Sequence, residues 1–136
     1  MARTPRDVTD KELEVLQVLW DQGEANRRQI TDALYPMGGA ALYATVQKLL
    51  ERLEDKSLVR HTRSGDGVLS FTAAVGREDF ISRRLLDMAA KLCGGSLTPL
   101  LMNMVRAKPL EAGELQELRE LVKELGQRDK RKGEKL

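Results

Sequence analysis

Residues 41–72, ALYATVQKLLERLEDKSLVRHTRSGDGVLSFT, change from the apolar period of a helix to that of two strands. Over 41–55 the apolar side chains recur at helical spacing and form one stripe. That stripe consists of Leu42, Val46, Leu49, Leu50 and Leu53. Two strand-like runs follow at 58–63 and 68–72, and Ser64-Gly65-Asp66-Gly67 between them is a strong turn signal. The run therefore predicts a helix followed by a β-hairpin.

The chain before this run predicts two more helices. Thr9-Asp10-Lys11-Glu12 matches a capping box, in which the threonine accepts a backbone N–H and the glutamate reaches back to the cap. A first helix is expected from Asp10 to Gln22, ended by Gly23, and Asn26 is expected to cap a second, short helix. Three helices and a hairpin predict the winged helix-turn-helix fold. In that fold the helix before the hairpin enters the major groove of DNA, and the hairpin tip touches neighbouring backbone.

From Arg77 onward the apolar pattern is helical, with a break at Gly94-Gly95 and a last helix after Pro109. The last helix repeats its leucines at coiled-coil-like spacing on a charged background. Because short helices are marginal alone, these leucines need a partner surface, and we expect a second copy of the chain. The residues expected at this dimer contact are Leu85, Leu97, Leu101, Leu115, Leu118 and Val122.

These patterns predict a mainly α chain with a small β-hairpin, divided into three parts. Residues 1–75 are expected to form a winged helix-turn-helix DNA-binding domain, and residues 76–126 a helical dimerisation region. Residues 127–136 are charged and have no apolar period, so a disordered tail is expected there.

Composition excludes several classes of protein. Hydrophobic residues make up 41% and charged residues 32% of the 136, which is typical of soluble globular chains, and no stretch approaches the roughly 20 apolar residues of a membrane span. The polar N-terminus lacks the apolar core of a signal peptide, so a cytoplasmic location and no direct membrane insertion are expected. The net charge of +2 is too small to indicate a nucleic-acid binder, so any DNA-binding face must come from the arrangement of charges.

The sequence offers no chemistry for an enzyme. Cys93 and His61 are its one cysteine and one histidine, which argues against a disulfide, a zinc site and Cys-His catalysis. No nucleophile-base pair and no phosphate-binding glycine loop is recognisable. We therefore expect no catalytic residue, no metal and no cofactor.

Three blocks of the sequence resemble the penicillinase-repressor family, which includes the β-lactamase and methicillin-resistance repressors and copper-responsive relatives. The first is VTDKELEVLQVLW at 8–20, and the second is TVQKLLERLEDKSLV at 45–59, where members usually show T-hydrophobic-x-x-L-L-x-R-L-x-x-K-G-L-V. Gly94-Gly95-Ser96-Leu97-x-Pro99-Leu100-Leu101 is similar too. Ser57 stands where Gly is usual, and Cys93 is not placed like the cysteine motif of the copper-responsive branch, so copper sensing is not predicted.

The resemblance implies a homodimer on a two-fold symmetric operator of double-stranded DNA, with the third helix reading bases and the C-terminal helices interlocking. In some members, a membrane metallopeptidase sensor that detects a β-lactam leads to cleavage of an Asn-Phe bond in the dimerisation region. The matching position here is Asn103-Met104, in the apolar setting LMNMV at 101–105.

Six residues are candidates for contact with DNA. On the exposed side of the third helix, Gln47 can pair with adenine, and Lys48 with guanine acceptors or phosphate. Tyr43 and Thr45, near the start of that helix, suit a phosphate or a thymine methyl, although Tyr43 could equally pack inside. On the hairpin, Arg60 and Arg63 adjoin a positive, Gly-rich tip that can approach the DNA backbone closely.

Other features have two interpretations. Arg52 and Lys56 could grip phosphate, or pair on the surface with Glu51, Asp55 and Glu12. His61 is expected to be an exposed strand residue without an identifiable carboxylate partner, which argues against a pH switch. Cys93 suits a small buried hydrophobe better than a redox sensor.

The sequence thus predicts a DNA-binding transcriptional repressor that acts as a homodimer. The alternative is a winged-helix protein-interaction module without sequence-specific DNA binding, because such folds also serve as docking surfaces. A steep dependence of affinity on salt would distinguish DNA binding from a mainly apolar protein contact.

Overall fold

The computed structural model describes residues 8–134 and, among side chains, those up to residue 130. The helices are α1 Asp10–Gln22, α2 Arg27–Leu34, α3 Ala40–Asp55, α4 Arg77–Leu92, α5 Thr98–Ala107 and α6 Ala112–Glu134. The strands are β1 Ala25–Asn26, β2 Val59–Arg63 and β3 Leu69–Ala73, in an antiparallel sheet of order β1-β3-β2. Three helices followed by a hairpin confirm the predicted winged helix-turn-helix fold and the mainly α class.

The ends of the first two helices follow from local sequence. The Thr9 hydroxyl accepts from the backbone N–H of Glu12 at 3.2 Å, and Gly23 ends α1 at φ 82°, a backbone conformation that glycine tolerates best. Asn26 caps α2 as predicted, and Gln29 completes the capping box by accepting from the Asn26 N–H at 2.8 Å. Both helices therefore begin where a capping side chain satisfies their free N–H groups.

The strand β1 is a finding that the sequence did not predict. It pairs with β3 in the register Ala25↔Phe71 and Asn26↔Ser70. A two-residue strand is too short to show any period, and Asn26 serves at once as strand residue and helix cap. The hairpin formed by β2 and β3 is thereby tied to the start of α2.

The hydrophobic core lies among α1, α2, α3 and the sheet. Within the α3 stripe, four of the five predicted residues are buried, whereas Leu42 is only half-buried near the start of the helix. The core residues are Val15, Leu16, Leu19, Ala25, Ile30, Val46, Leu49, Leu50, Leu53, Leu58, Val59, Phe71, Val75 and Phe80. Burial of one face leaves the opposite face of α3 free to meet a ligand.

A buried ion pair corrects two predictions about α1 and α3. Glu12 does not reach back to its helix cap; its carboxylate accepts from the Lys56 ammonium, at 2.9 Å to Oε1 and 2.6 Å to Oε2. The side chains are 1% and 5% exposed, so this pair belongs to the interior and not to the surface. Lys56 is the C-cap residue of α3, and the next residue, Ser57, has φ 63°, where the resembled family usually has glycine.

The start of α4 is fastened to the end of α1. Trp20 Nε1 donates to the Val75 carbonyl at 2.8 Å, and the Trp20 and Phe80 rings lie 5.4 Å apart between centroids. The Arg77 guanidinium pairs with Asp21 at 2.6 Å and lies over the Trp20 ring. These contacts join the start of α4 to the winged helix.

Beyond this junction the helices are sparsely buried. No side chain of α5 is buried, nor is any of α6 as far as Lys130. Among the described residues, every exposed large hydrophobic side chain except Met37 and Val68 lies from Ile81 onward. The three C-terminal helices therefore present apolar faces that the single chain does not cover.

The last helix extends into residues 127–136, the predicted tail. Helix α6 continues to Glu134 where disorder was expected from residue 127, and residues 135–136 lie outside the described part. Gln, Arg, Lys and Glu are good helix formers, so a segment without an apolar period can still extend a helix that has begun. None of the helices within 8–134 is both long and apolar enough to cross a membrane.

Candidate nucleic-acid interface

A cleft of about 360 Å³ lies between the start of α2, the exposed face of α3 and the hairpin, which we call the wing (residues 59–73). Helix α2 meets the cleft through its first turn because the Asn26 cap sets where that helix begins. The polar residues that line the cleft are Asn26, Arg27, Arg28, Tyr43, Gln47 and Arg63. No acidic side chain lines this cleft, so three arginines set its electrostatic character.

Two predicted residues, Tyr43 and Gln47, are held by an arginine from the neighbouring helix. The Arg27 guanidinium carbon lies 4.2 Å from the centroid of the Tyr43 ring, and Arg27 Nη1 donates to Gln47 Oε1 at 2.7 Å. Gln47 Nε2 in turn donates to Glu51 Oε1 at 2.9 Å. Tyr43 is half-buried beneath this arginine, so its ring is neither fully packed inside nor fully exposed.

The other two predicted residues of α3 lie on its exposed face. The Thr45 hydroxyl donates to the Ala41 carbonyl at 3.0 Å, one turn earlier in the helix. Lys48 is exposed, and none of the described residues pairs with its ammonium group. Lys48 is therefore available to an external anion or base edge.

The wing carries its positive charge on β2. Arg60 and Arg63 are exposed there, and Arg63 Nη1 donates to the Gly67 carbonyl at 2.7 Å, which braces the turn. The turn itself carries Asp66, which accepts from the Ser64 hydroxyl and from the Val68 N–H. These hydrogen bonds favour the charged form and lower the pKa of the Asp66 carboxyl below its ordinary value. The predicted positive tip is therefore negative at its end.

His61 has the carboxylate partner that sequence reasoning did not find. Its Nδ1 lies 2.6 Å from Glu54 Oε1, with His61 52% exposed and Glu54 29% exposed. Glu54 is on the last turn of α3 and His61 on β2, so the pair spans two elements that adjoin in the fold. The prediction that His61 is an exposed strand residue is confirmed.

Arg27 and Arg28 were not predicted from the sequence as candidate DNA contacts. Both follow the Asn26 cap directly and line the cleft, with Arg28 exposed and Arg27 half-buried. A pair of arginines in the first turn of a helix runs against the helix dipole, which favours acidic residues there. This unfavourable placement was the signal in the sequence that the two arginines could serve to bind a ligand and not to stabilise the helix.

The predicted dimer residues line or flank two apolar grooves of the C-terminal helices. A groove of about 300 Å³ between α4 and α5 includes Leu85, Leu97 and Leu101, and one of about 560 Å³ between α5 and α6 includes Leu101 and Leu118. Leu115 and Val122 on α6 are exposed. Cys93, half-buried, is the C-cap residue of α4.

The predicted cleavage position lies in the middle of α5. The Asn103 amide donates to the Pro99 carbonyl at 2.8 Å, and Met104 is half exposed. The bond between them is thus part of a regular helix in this structure.

A family model described as penicillinase repressor matches residues 8–124. The chain belongs to the penicillinase repressor family. Members of this family are transcriptional repressors and not enzymes. The match includes the cleft, the wing and the C-terminal helices as far as residue 124, so the cleft and the wing lie within the part shared with the penicillinase repressor family.

Individual relatives are distant but cover the chain. The penicillinase repressor of Bacillus licheniformis is 25% identical over 130 residues, which is 96% of this chain and 99% of that protein. The penicillinase repressor of Staphylococcus aureus is 19% identical over 128 residues, 94% of this chain and 100% of that protein.

Among solved structures, YusO from Bacillus subtilis matches with a TM-score of 0.47 at 20% identity, covering 88% of this chain and 75% of that one. A MarR family protein from Bacillus stearothermophilus matches with a TM-score of 0.45 at 21% identity, covering 88% and 76%.

Proposed function

We propose that this member of the penicillinase repressor family is a homodimeric repressor that binds a two-fold symmetric operator in duplex DNA. The observation that carries the proposal is the cleft between α2, α3 and the wing, which Arg27, Arg28 and Arg63 line without an acidic side chain. Neutralising phosphates with arginine releases counterions from DNA, and this supplies most of the sequence-independent affinity of DNA-binding proteins.

The exposed face of α3 is the part proposed to enter the major groove. Lys48 is solvent-exposed on that face and suits guanine acceptors or phosphate. Tyr43, Thr45 and Gln47 lie on the same helix. Arg60 and Arg63 on the wing are proposed to contact the flanking DNA backbone. Phosphate contacts set the register of the helix on the duplex, while contacts to base edges discriminate sequences.

A second copy of the chain is proposed to cover the C-terminal helices. Monomeric proteins rarely expose contiguous apolar patches beyond a few hundred Å². Here the two apolar grooves between α4, α5 and α6 adjoin exposed leucines on each of these helices. Leu85, Leu97, Leu101, Leu115, Leu118 and Val122 are the proposed dimer contacts. Two recognition helices fixed by such a dimer require half-sites about one helical turn apart, or a multiple of it.

Release from DNA by proteolysis is a further part of the proposal. Cleavage between Asn103 and Met104 would separate α6 and the end of α5 from the DNA-binding domain, and each protomer would then hold DNA through one half-site. A protease binds an extended segment, so α5 must first unwind. The absence of buried side chains in α5 makes that unwinding inexpensive before the dimer forms. The proposed partner for this step is a membrane metallopeptidase sensor.

Fluorescence anisotropy on duplex DNA from upstream of the protein's own gene tests the proposal. We expect binding at least about a hundredfold tighter than to scrambled duplex, two protomers per site and a steep decrease of affinity with salt. Equal, weak binding to both duplexes would be followed by selection from random DNA. Failure of that selection to enrich any sequence would contradict the proposal and favour a protein-interaction module.

A further inference from the structure

The amide of Gln47 has both of its ends occupied within the protein. Its oxygen accepts from Arg27 at 2.7 Å and its nitrogen donates to Glu51 at 2.9 Å. Recognition of adenine by glutamine uses the same oxygen and nitrogen. Both existing bonds involve a charged partner, which makes them stronger than bonds between neutral groups. Reading a base would therefore require Gln47 to give up two favourable contacts.

Contacts with Tyr43 and Gln47 orient the Arg27 guanidinium but do not use all of its N–H donors. Tyr43 covers one face of the guanidinium at 4.2 Å, and Gln47 occupies one N–H group. The Arg27 guanidinium forms no other hydrogen bond with the described residues, so several of its N–H donors are available. A planar guanidinium that is stacked on a ring and bonded along one edge is preorganised, and less side-chain entropy is lost when it binds an anion.

The surroundings of Arg27 favour an anion. Arg28 and Arg63 line the same cleft, one from α2 and the other from the wing. The carboxylate nearest in the network, Glu51, is engaged by the Gln47 amide and is not part of the cleft lining. Like charges brought together without a carboxylate repel one another, and a bound phosphate would relieve that repulsion.

We propose that Arg27 binds a backbone phosphate of duplex DNA in the cleft between α2, α3 and the wing, and that Gln47 is a positioning residue that orients Arg27. This inference rests on the proposed function, because it assigns the roles of two residues within that DNA-binding site. It places sequence discrimination on α3 with residues other than Gln47, Lys48 being the exposed one nearest in sequence.

The test is a salt series of anisotropy measurements with Arg27→Ala, Arg27→Lys and Gln47→Ala, on the protein's own upstream duplex and on scrambled duplex. For Arg27→Ala we expect the slope of log affinity against log salt to fall by about one for each phosphate that is no longer neutralised, hence by about two per dimer. Affinity should fall at least about tenfold on both duplexes, with their ratio unchanged. The affinity of Arg27→Lys should lie between that of Arg27→Ala and that of the unmodified protein, because lysine keeps the charge and lacks the planar fork.

Gln47→Ala should weaken binding to both duplexes by the same factor, without relaxing the preference at any one base pair. Arg106→Ala is the matched control, since it removes the same charge from an exposed position on α5. Its salt slope should equal that of the unmodified protein. Thermal unfolding and sedimentation of every variant identify losses that come from misfolding or from a weakened dimer.

Two results would overturn the inference. One is an unchanged salt slope in folded, dimeric Arg27→Ala, which would make the Arg27 contacts purely structural. The other is a relaxed preference at a single base pair per half-site in Gln47→Ala, which would make Gln47 a base reader. If the unmodified protein shows no sequence preference at all, the proposed function fails. The slopes on scrambled duplex still decide the role of Arg27.

Discussion

At the scale of single residues, the pair Glu12 and Lys56 joins the beginning of α1 to the end of α3 inside the protein. Removing two charges from water is expensive, and their attraction offsets this cost only when the geometry is good. Here one ammonium contacts both carboxylate oxygens within 2.9 Å. Lys56 is the C-cap residue of α3, and the first strand of the wing begins at Val59.

Breaking one half of this pair is expected to be costly. Glu12→Leu should lower the free energy of unfolding by about 3 to 5 kcal/mol, because it removes the Glu12 carboxylate from the buried Lys56 ammonium. The double variant Glu12→Leu/Lys56→Met should recover most of that loss, since apolar side chains of similar volume avoid the desolvation cost. Urea denaturation at one fixed protein concentration measures both values.

The control for this prediction is the exposed pair of Lys11 and Glu14, which are 3.4 Å apart and 63% and 46% exposed. Glu14→Gln should change the free energy of unfolding by less than about 1 kcal/mol. If Glu12→Leu costs no more than Glu14→Gln, the buried pair does not stabilise the fold.

At the scale of elements, the wing combines a basic strand with an acidic turn. The short turn is closed by backbone bonds of 2.9 Å from Gly67 to Ser64 and from Ser64 to Val68, and Gly67 has the positive φ of 86° that its geometry requires. Asp66 adds side-chain bonds to the same turn at the cost of a negative charge. Within the proposed function, that charge faces a polyanion and limits affinity.

Replacing Asp66 by Asn should therefore tighten DNA binding several-fold at about 50 mM salt, and by less at about 200 mM, where charges are more strongly screened. The folded-state pKa of Asp66 lies below the ordinary 3.8, so its contribution to the turn is complete above about pH 4 and is lost as pH falls through the lowered value. The gain in affinity should consequently be constant between about pH 6 and pH 8.

Asp129→Asn on α6 removes the same charge outside the wing and should leave affinity unchanged. Anisotropy on the same duplex measures both variants. Weaker binding by Asp66→Asn, with the wing still folded, would indicate that the carboxylate positions the turn more than it repels DNA.

At the scale of the whole molecule, two parts differ in how they are held together. The winged helix has its own buried core, whereas α5 and α6 bury no side chain among those described. The junction at Trp20, Phe80 and Arg77 joins the start of α4 to the end of α1. Spacing between two recognition helices would then depend on the dimer contact and on this junction.

Leu101 lines both apolar grooves, as Met104 does, and Leu101 is 51% exposed in the single chain. Leu101→Glu should convert the proposed dimer to monomer at micromolar concentration, because a carboxylate would be buried without a partner. Operator affinity should fall by at least about a hundredfold through loss of the second half-site. Sedimentation velocity and anisotropy measure the two effects.

Leu101→Met preserves volume and apolar character, so it should remain dimeric and bind DNA as before. A dimeric Leu101→Glu would mean that the grooves are covered by something other than the second copy.

The order of the elements was predictable from residues close together in the sequence. Capping side chains at Thr9 and Asn26, the apolar stripe of α3 and the turn at 64–67 act over a few residues, so each appears as a local pattern. The helix ends and the hairpin were confirmed for that reason. The extension of α6 beyond residue 126 has no apolar period to indicate it, because helix-forming residues need none to extend a helix.

Contacts between distant residues were decided only by the tertiary structure. The bond from Arg27 to Gln47, the pairing of β1 with β3 and the burial of Glu12 against Lys56 join residues 20 to 46 positions apart. A local sequence pattern does not predict such partners, since several carboxylates and cations along the chain could have paired with one another. The sequence alone determined which helices and strands form and which faces are apolar. The packing of those faces decided which charges are buried and which arginines line the cleft.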